Sequence, residues 1–274
     1  MFDLAALDSA LARSAFAGRL HFSPVTDSTN SDAVEAARQR EPHGSVYFAD
    51  EQLAGRGRGD HAWNSAAGEG LYVSVLLRPE IPAVRLPLLP FAAGLAAAEA
   101  IRAVSGLTID LRWPNDLLIG PRKTGGILVE SKISGGAVDF AVVGIGINVH
   151  QRVFAPDLST PATSLDLDSG RLTSRQDLLI ALLKSLEREM LGLAAPEAGV
   201  TIPARVEQAS TWIRARRVEV HGPQACTGLT AGLDKHGFLL VRTADEMVTV
   251  QTGGIRATCA EAEAVATERS ERCC

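Results

Sequence analysis

The pattern of apolar residues changes character once along this chain, and that change limits the fold more than any other feature. Up to about residue 210, short apolar runs alternate with longer segments of helical spacing. After residue 211 only short β-prone segments follow, at 217–221, 226–233, 237–242 and 247–252, separated by glycine-containing turns. A run such as L-Y-V-S-V-L-L at 71–77 is apolar almost throughout, so it needs cover on both faces. Helices are expected at 3–17, 31–40, 86–105, 174–192 and 197–209. Strands are expected at 21–25, 45–49, 71–77, 108–113, 126–132 and 137–149. The expected class is α+β: a mixed sheet covered by helices over 1–210, a small β domain over 211–257, and a flexible tail over 258–274.

The 274 residues suffice for a substantial core without disulfide staples. A net charge of -5 argues against a general nucleic-acid coat, which would carry excess Lys and Arg. The four cysteines, Cys226, Cys259, Cys273 and Cys274, have neither C-x-x-C zinc spacing nor the look of a disulfide framework, which suits a reducing cytoplasm. No export signal opens the sequence and no stretch reads as a membrane span, the Ala-rich segment at 88–104 being interrupted by Glu99 and Arg102. The six histidines are scattered, so no metal is expected to be held by side chains alone.

Four strings carry chemistry. In the first, Gln52-Leu53-Ala54-Gly55-Arg56-Gly57-Arg58-Gly59-Asp60-His61-Ala62-Trp63, three glycines in five residues let backbone approach a ligand, and two arginines offer forked cationic donors. This suits a substrate bearing a carboxylate and a polyphosphate; a solvated loop or an RNA-binding Gly-Arg segment has the same composition. Second, Asp27-Ser28-Thr29-Asn30 opens a helix, with Thr29 and Asp32 at capping-box spacing. Its hydroxyls and amide serve either as caps or as partners for a small polar head group. Third, Arg112-Trp113-Pro114-Asn115-Asp116 stops a strand and sets Asn115 and Asp116 on a turn, while Lys123 precedes Gly125, Gly126 and a buried strand. Fourth, Gly144 and Gly146 in Gly144-Ile145-Gly146-Ile147-Asn148-Val149 mark either a bulge or a close approach to the backbone.

These strings, in this order and over about residues 20–256, resemble the biotin protein ligase family. The matches are to its D-S-T-N, G-R-G-R, K/R-W-P-N-D, K-x-G-G-I-L-V-E and G-x-G-I-N-V motifs. The loop departs from the common G-R-G-R-x-G-R-x-W, with Gly59-Asp60-His61 standing for x-G-R. The resemblance implies a class II synthetase-like catalytic domain and an SH3-like C-terminal barrel. It implies ATP-dependent activation of biotin to biotinyl-5′-AMP, then transfer to a lysine of a biotin carboxyl carrier protein, with Mg2+ arriving on ATP.

By the same resemblance Ser28, Thr29, Asn30, Gln52, Gly55, Arg56, Gly57, Arg58, Lys123, Gly126, Gly144 and Gly146 contact biotin or its adenylate. Trp63, Asn115 and Asn148 lie at the nucleotide. Lys123, Arg58 and Asp116 are the catalytic candidates: Lys123 at the carboxylate and α-phosphate, Asp116 orienting the target lysine or receiving its proton. The rivals are a lipoate or octanoate ligase, an RNA-binding protein, and a ligase that also represses transcription. The last needs an N-terminal DNA-binding domain, for which no room is seen before residue 27. No nucleic-acid or membrane partner is expected, and a monomer and a homodimer both remain open.

Overall fold

The computed structural model describes residues 2–59 and 61–258. Beyond Thr258 the expected tail, with Cys259, Cys273 and Cys274, lies outside the described residues, as does Asp60 of the glycine-arginine loop. Seven strands, β1 (Leu20–Thr26), β2 (Ser45–Gln52), β3 (Gly70–Leu77), β4 (Asp110–Arg112), β5 (Asp116–Ile119), β6 (Arg122–Ser134) and β7 (Ala137–Asn148), form one sheet in the order β1-β2-β3-β7-β6-β5-β4. Only β1 and β2 pair in parallel, so the sheet is mixed as expected. The helices are α1 (Leu4–Leu11), α2 (Thr29–Arg38), α3 (Leu89–Ser105), α4 (Leu165–Ser169), α5 (Arg175–Ala194) and α6 (Ala198–Gln208).

Alternation along the strands decides what each sheet face does. Leu71, Val73, Val75 and Leu77 of β3 join Val143, Ile145 and Ile147 of β7 in the main core, with α1, α3 and α5. The opposite-facing Leu76, Phe140 and Val142 pack under α2 with Ala33 and Ala37. Helix α2 has only ten residues, so it covers part of that face. The remainder presents Tyr72, Ser74, Gly126, Leu128, Gly144, Gly146 and Asn148 to a cavity.

Helix α3 carries its small residues, Ala92, Ala93, Gly94, Ala96 and Ala97, into the core and stops at Gly106, whose φ of 76° a side chain would resist. With the 3-10 turn ahead of it, Ala83–Ser105 is long and apolar enough to cross a membrane, contrary to the sequence expectation. Here it is a core helix packed against α5. Helix α5 is capped by Ser174, which accepts from the Asp177 N–H, and buries Leu178, Leu179, Leu182, Leu183 and Leu186 at helical spacing.

Other expectations need correction. Helix α1 ends at Leu11, well short of 17, and turns beyond it bury Phe16. Strand β4 is three residues long, and a hairpin with a cis Trp113–Pro114 bond returns the chain as the unforeseen β5. Helix α4, of five residues, was too short to show a period. The capping box does not form: Ser28 is the N-cap and its side chain makes no capping bond, while Asp32 instead accepts from Thr26.

The second sheet holds β8 (Arg214–His221), β9 (Cys226–Leu233), β10 (Leu239–Arg242), β11 (Met247–Val250) and β12 (Gly254–Ala257), all antiparallel, in the order β11-β10-β9-β8-β12. Its buried Val218, Val220, Leu239, Val241 and Ile255 are continuous with the main core. The Trp113 indole N–H, donated to the Gly237 carbonyl at 3.2 Å, joins the β4–β5 turn to this sheet.

Candidate functional site

All the candidate substrate-binding, nucleotide-binding and catalytic residues line one cavity of about 1120 Å³, open on the part of the sheet that α2 leaves bare. Its polar end is built where α2 starts. Because Thr29 is the first helical residue and not the cap, its hydroxyl turns toward the sheet. It meets Gln52 Oε1 at 3.1 Å and the Ser74 hydroxyl at 2.8 Å, and its backbone N–H donates to the same Gln52 oxygen. Ser74 donates to Asn30 Oδ1 at 2.6 Å, and Asn30 Nδ2 donates to Glu130 at 2.9 Å.

The glycines of β7 now have a local cause. A side chain at Gly144 would sit 2.0 Å from Asn30 Oδ1, and one at Gly146 would sit 2.6 Å from Trp63 Nε1. The groups that approach this backbone are the chain's own Asn30 and Trp63. Gly55 is similarly closed off, since a Cβ there would meet the Trp63 carbonyl at 2.4 Å. The Trp63 indole N–H is buried without a hydrogen-bond partner, and Lys123 Nζ lies 5.5 Å from the ring centroid.

The cationic end centres on Asp116. Across the β4–β5 register it faces Arg112, which donates from Nε and Nη2 to Oδ2 at 3.1 and 2.6 Å, while Lys123 Nζ is 2.5 Å from Oδ1. Burial works to raise the Asp116 pKa, but Lys123 and Arg112 outweigh it and hold the carboxyl below its ordinary range. Two cations and one carboxylate leave a net positive charge facing the cavity. The backbone of Lys123 is clamped between the Pro161 carbonyl and the Thr163 N–H.

The glycine-arginine loop is folded back as an irregular hairpin, bridged at Gln52 with Ser65 and at Arg56 with Ala62. Arg56 forks onto Glu130. Arg58 donates to the Gly253 carbonyl and to Thr252 of the second sheet's β11–β12 turn. Burial lowers the Arg58 pKa against the opposing pull of Asp116. Two expected ligand contacts are occupied within the protein: Asn115 Nδ2 donates to the Ile127 carbonyl at 2.8 Å and Asn148 Nδ2 to the Thr163 carbonyl at 3.0 Å.

Several lining residues had been given no role from the sequence: Ser74, Arg112, Thr160, His221 and Thr252; nor had Glu130, which is bonded to the lining residues Asn30 and Arg56. A lone serine in the apolar run 71–77 was a signal for Ser74, and a carboxylate closing an apolar strand was one for Glu130. Nothing local marked Thr252. No group of three His, Cys, Asp or Glu able to hold a metal ion occurs among the described residues.

Comparison with known proteins follows the same strings. Residues 22–148 match the model of the Biotin/lipoate A/B protein ligase family. The chain is 39% identical over 171 residues to the bifunctional ligase/repressor BirA of Bacillus spizizenii, a match covering 62% of this chain and 53% of that one. The match thus spans about half the length of that relative. It is 35% identical over 240 residues to the biotin--[acetyl-CoA-carboxylase] ligase of Mycobacterium tuberculosis, covering 84% of this chain and 85% of that one. The solved biotin protein ligase from Aquifex aeolicus in complex with biotin and ATP superposes with a TM-score of 0.76 at 28% identity, covering 88% of this chain and 100% of that one. With the motif strings gathered on one cavity and a relative of this identity matched over most of both lengths, the chain belongs to the biotin protein ligase family.

Proposed function

We propose that this protein uses ATP to convert biotin to biotinyl-5′-AMP and then transfers the biotinyl group to a specific lysine of a biotin carboxyl carrier protein, a subunit of acetyl-CoA carboxylase. The observation that carries this reading is a single cavity with a neutral hydrogen-bonding end at Thr29, Asn30 and Gln52 and a cationic end at Lys123 and Arg112. A cyclic urea head group fits the first, and a carboxylate meeting a phosphate fits the second.

In the first step a carboxylate oxygen of biotin bonds to the α-phosphorus of ATP, and the bond to the β-phosphate oxygen breaks to release pyrophosphate. Two anions must approach each other. Lys123, with its charge only partly answered by Asp116, offsets that repulsion and the charge that develops. Arg58 of the loop, anchored to the second sheet's turn at Thr252 and Gly253, is the further cation that closes on the adenylate. Trp63 and the backbone at Gly126 and Gly146 form the surface for the nucleotide, with Asn115 and Asn148 beside it. Magnesium would arrive on ATP, held chiefly by its phosphate oxygens and water.

In the second step the carrier amine bonds to the biotinyl carbonyl carbon and AMP leaves. Asp116, kept ionised by its two cations, is a weak proton acceptor and better suited to orienting Lys123 and the incoming amine. The loop at 55–61 keeps water from the mixed anhydride. We also read the second sheet as an SH3-like barrel, supported by its five short antiparallel strands around Val218, Val220, Val241 and Ile255.

The test is biotin-dependent exchange of labelled pyrophosphate into ATP. Wild type should exchange only with biotin, and Lys123→Ala should lose a factor on the order of 100 or more. Exchange with lipoate or octanoate in place of biotin would move the protein to the other ligase class of its family, and no exchange with any acid would sink the reading.

A further inference from the structure

We propose that Glu130 is a positioning residue that couples the head-group pocket to the glycine-arginine loop. Its carboxylate, on the cavity face of β6, is shared by two donors. Arg56 of the loop forks onto it, Nη1 to Oε1 at 3.2 Å and Nη2 to Oε2 at 2.5 Å, and Asn30 Nδ2 donates to Oε2 at 2.9 Å. Asn30 cannot turn its amide round freely, because Oδ1 accepts from Ser74 at 2.6 Å. From Ser74 the chain of bonds runs to Thr29, whose hydroxyl donates to Ser74 at 2.8 Å and whose backbone N–H donates to Gln52 Oε1 at 2.9 Å, and on from Gln52 Nε2 to the Ser65 hydroxyl at 2.7 Å. Ser65 stands at the far end of the same loop. One continuous relay thus ties both legs of the loop together through α2, β2, β3 and β6.

The middle of this relay is the proposed site of the urea head group, so the inference rests on the functional reading above. Such a group brings one acceptor and two N–H donors into a set of partners that already satisfy one another. Binding must re-sort them, and Glu130 is where the change passes to Arg56. The Arg56 and Glu130 side chains are 42% and 31% exposed, so the fork is a weak, reversible latch and not a buried ion pair.

The experiment compares wild type, Glu130→Gln, Arg56→Met and the double variant. Tryptic cleavage after Arg58 is measured with and without biotin, in the absence of ATP. Glutamine keeps an acceptor for Asn30 but loses the charge that holds Arg56. We expect ligand-free cleavage after Arg58 to rise roughly three- to tenfold, the scale of a partly exposed ion pair. Protection by biotin should be lost, and the hydrolysis of biotinyl-AMP without acceptor should rise. The double variant should cleave no faster than Glu130→Gln, since both remove one latch. Wild-type cleavage and protection in Glu130→Gln would overturn the proposal. So would additive effects, or cleavage rising throughout the chain with a fall in Tm, which would mean a structural role only. The ligand-free rate tests the latch without substrate, so a wild type lacking biotin-dependent exchange would sink the functional reading while the latch result stands.

Discussion

Replacing Gly144 by alanine puts a methyl carbon 2.0 Å from Asn30 Oδ1, 2.8 Å from its Cγ and 3.2 Å from its Nδ2. Real contacts of this kind do not fall below 3.0 Å, so the whole amide must retreat by an ångström or more. It has little room, because Asn30 is 4% exposed and lies in the first turn of α2. Retreat breaks the bond from Ser74 and strains the one to Glu130. Overpacking costs about 1–3 kcal/mol and each lost hydrogen bond about 1 kcal/mol. We therefore expect roughly 2–4 kcal/mol of destabilisation, a fall in Tm on the order of 4–7 °C for a chain of this size. The paired control is Gly192→Ala in α5, where an added Cβ meets nothing within 4 Å. There the helix should gain about 0.5–1 kcal/mol. Urea and thermal unfolding of both variants read the difference. A Gly144→Ala protein as stable as wild type would refute the view that the glycine exists to admit Asn30.

Asp116→Asn should destabilise by about 3 kcal/mol at neutral pH, because Arg112 and Lys123 lose their shared counter-charge. The Asp116 pKa is lowered on folding, so its contribution is fully present above the ordinary value of 3.8 and fades as pH falls through the lower folded value. Unfolding from pH 7 down to acid should show the gap between wild type and variant closing only below that ordinary value, and a gap independent of pH would contradict this. Trp113→Phe preserves most of the packing but removes the bond to the Gly237 carbonyl, a loss of about 1 kcal/mol, checked by urea unfolding.

The longer elements were legible because their signals are local. Leu178, Leu179, Leu182, Leu183 and Leu186 mark α5 by period, and Ser174 marks its start. β5 and α4, at four and five residues, are too short for a period to emerge. The capping box failed because its spacing only permits the geometry; the chain enters α2 one residue earlier, and Asp32 found Thr26. Arg112 and Asp116 have the spacing of a helical ion pair, yet they meet across a hairpin register.

By itself the sequence determined the mixed α+β class, the change to a small all-β segment after 211, and which residue types would gather in a site. Those properties reside in periods of two to four residues and in short strings. The tertiary structure alone decided what each side chain faces. Strand register put Ser74, Gly144 and Glu130 on one face, and the shortness of α2 left that face open. The ties that shape the site join residues 74 apart at Arg56 and Glu130 and 195 apart at Arg58 and Gly253. Such contacts exist only once the core has brought the sheets together, so no local pattern could announce them.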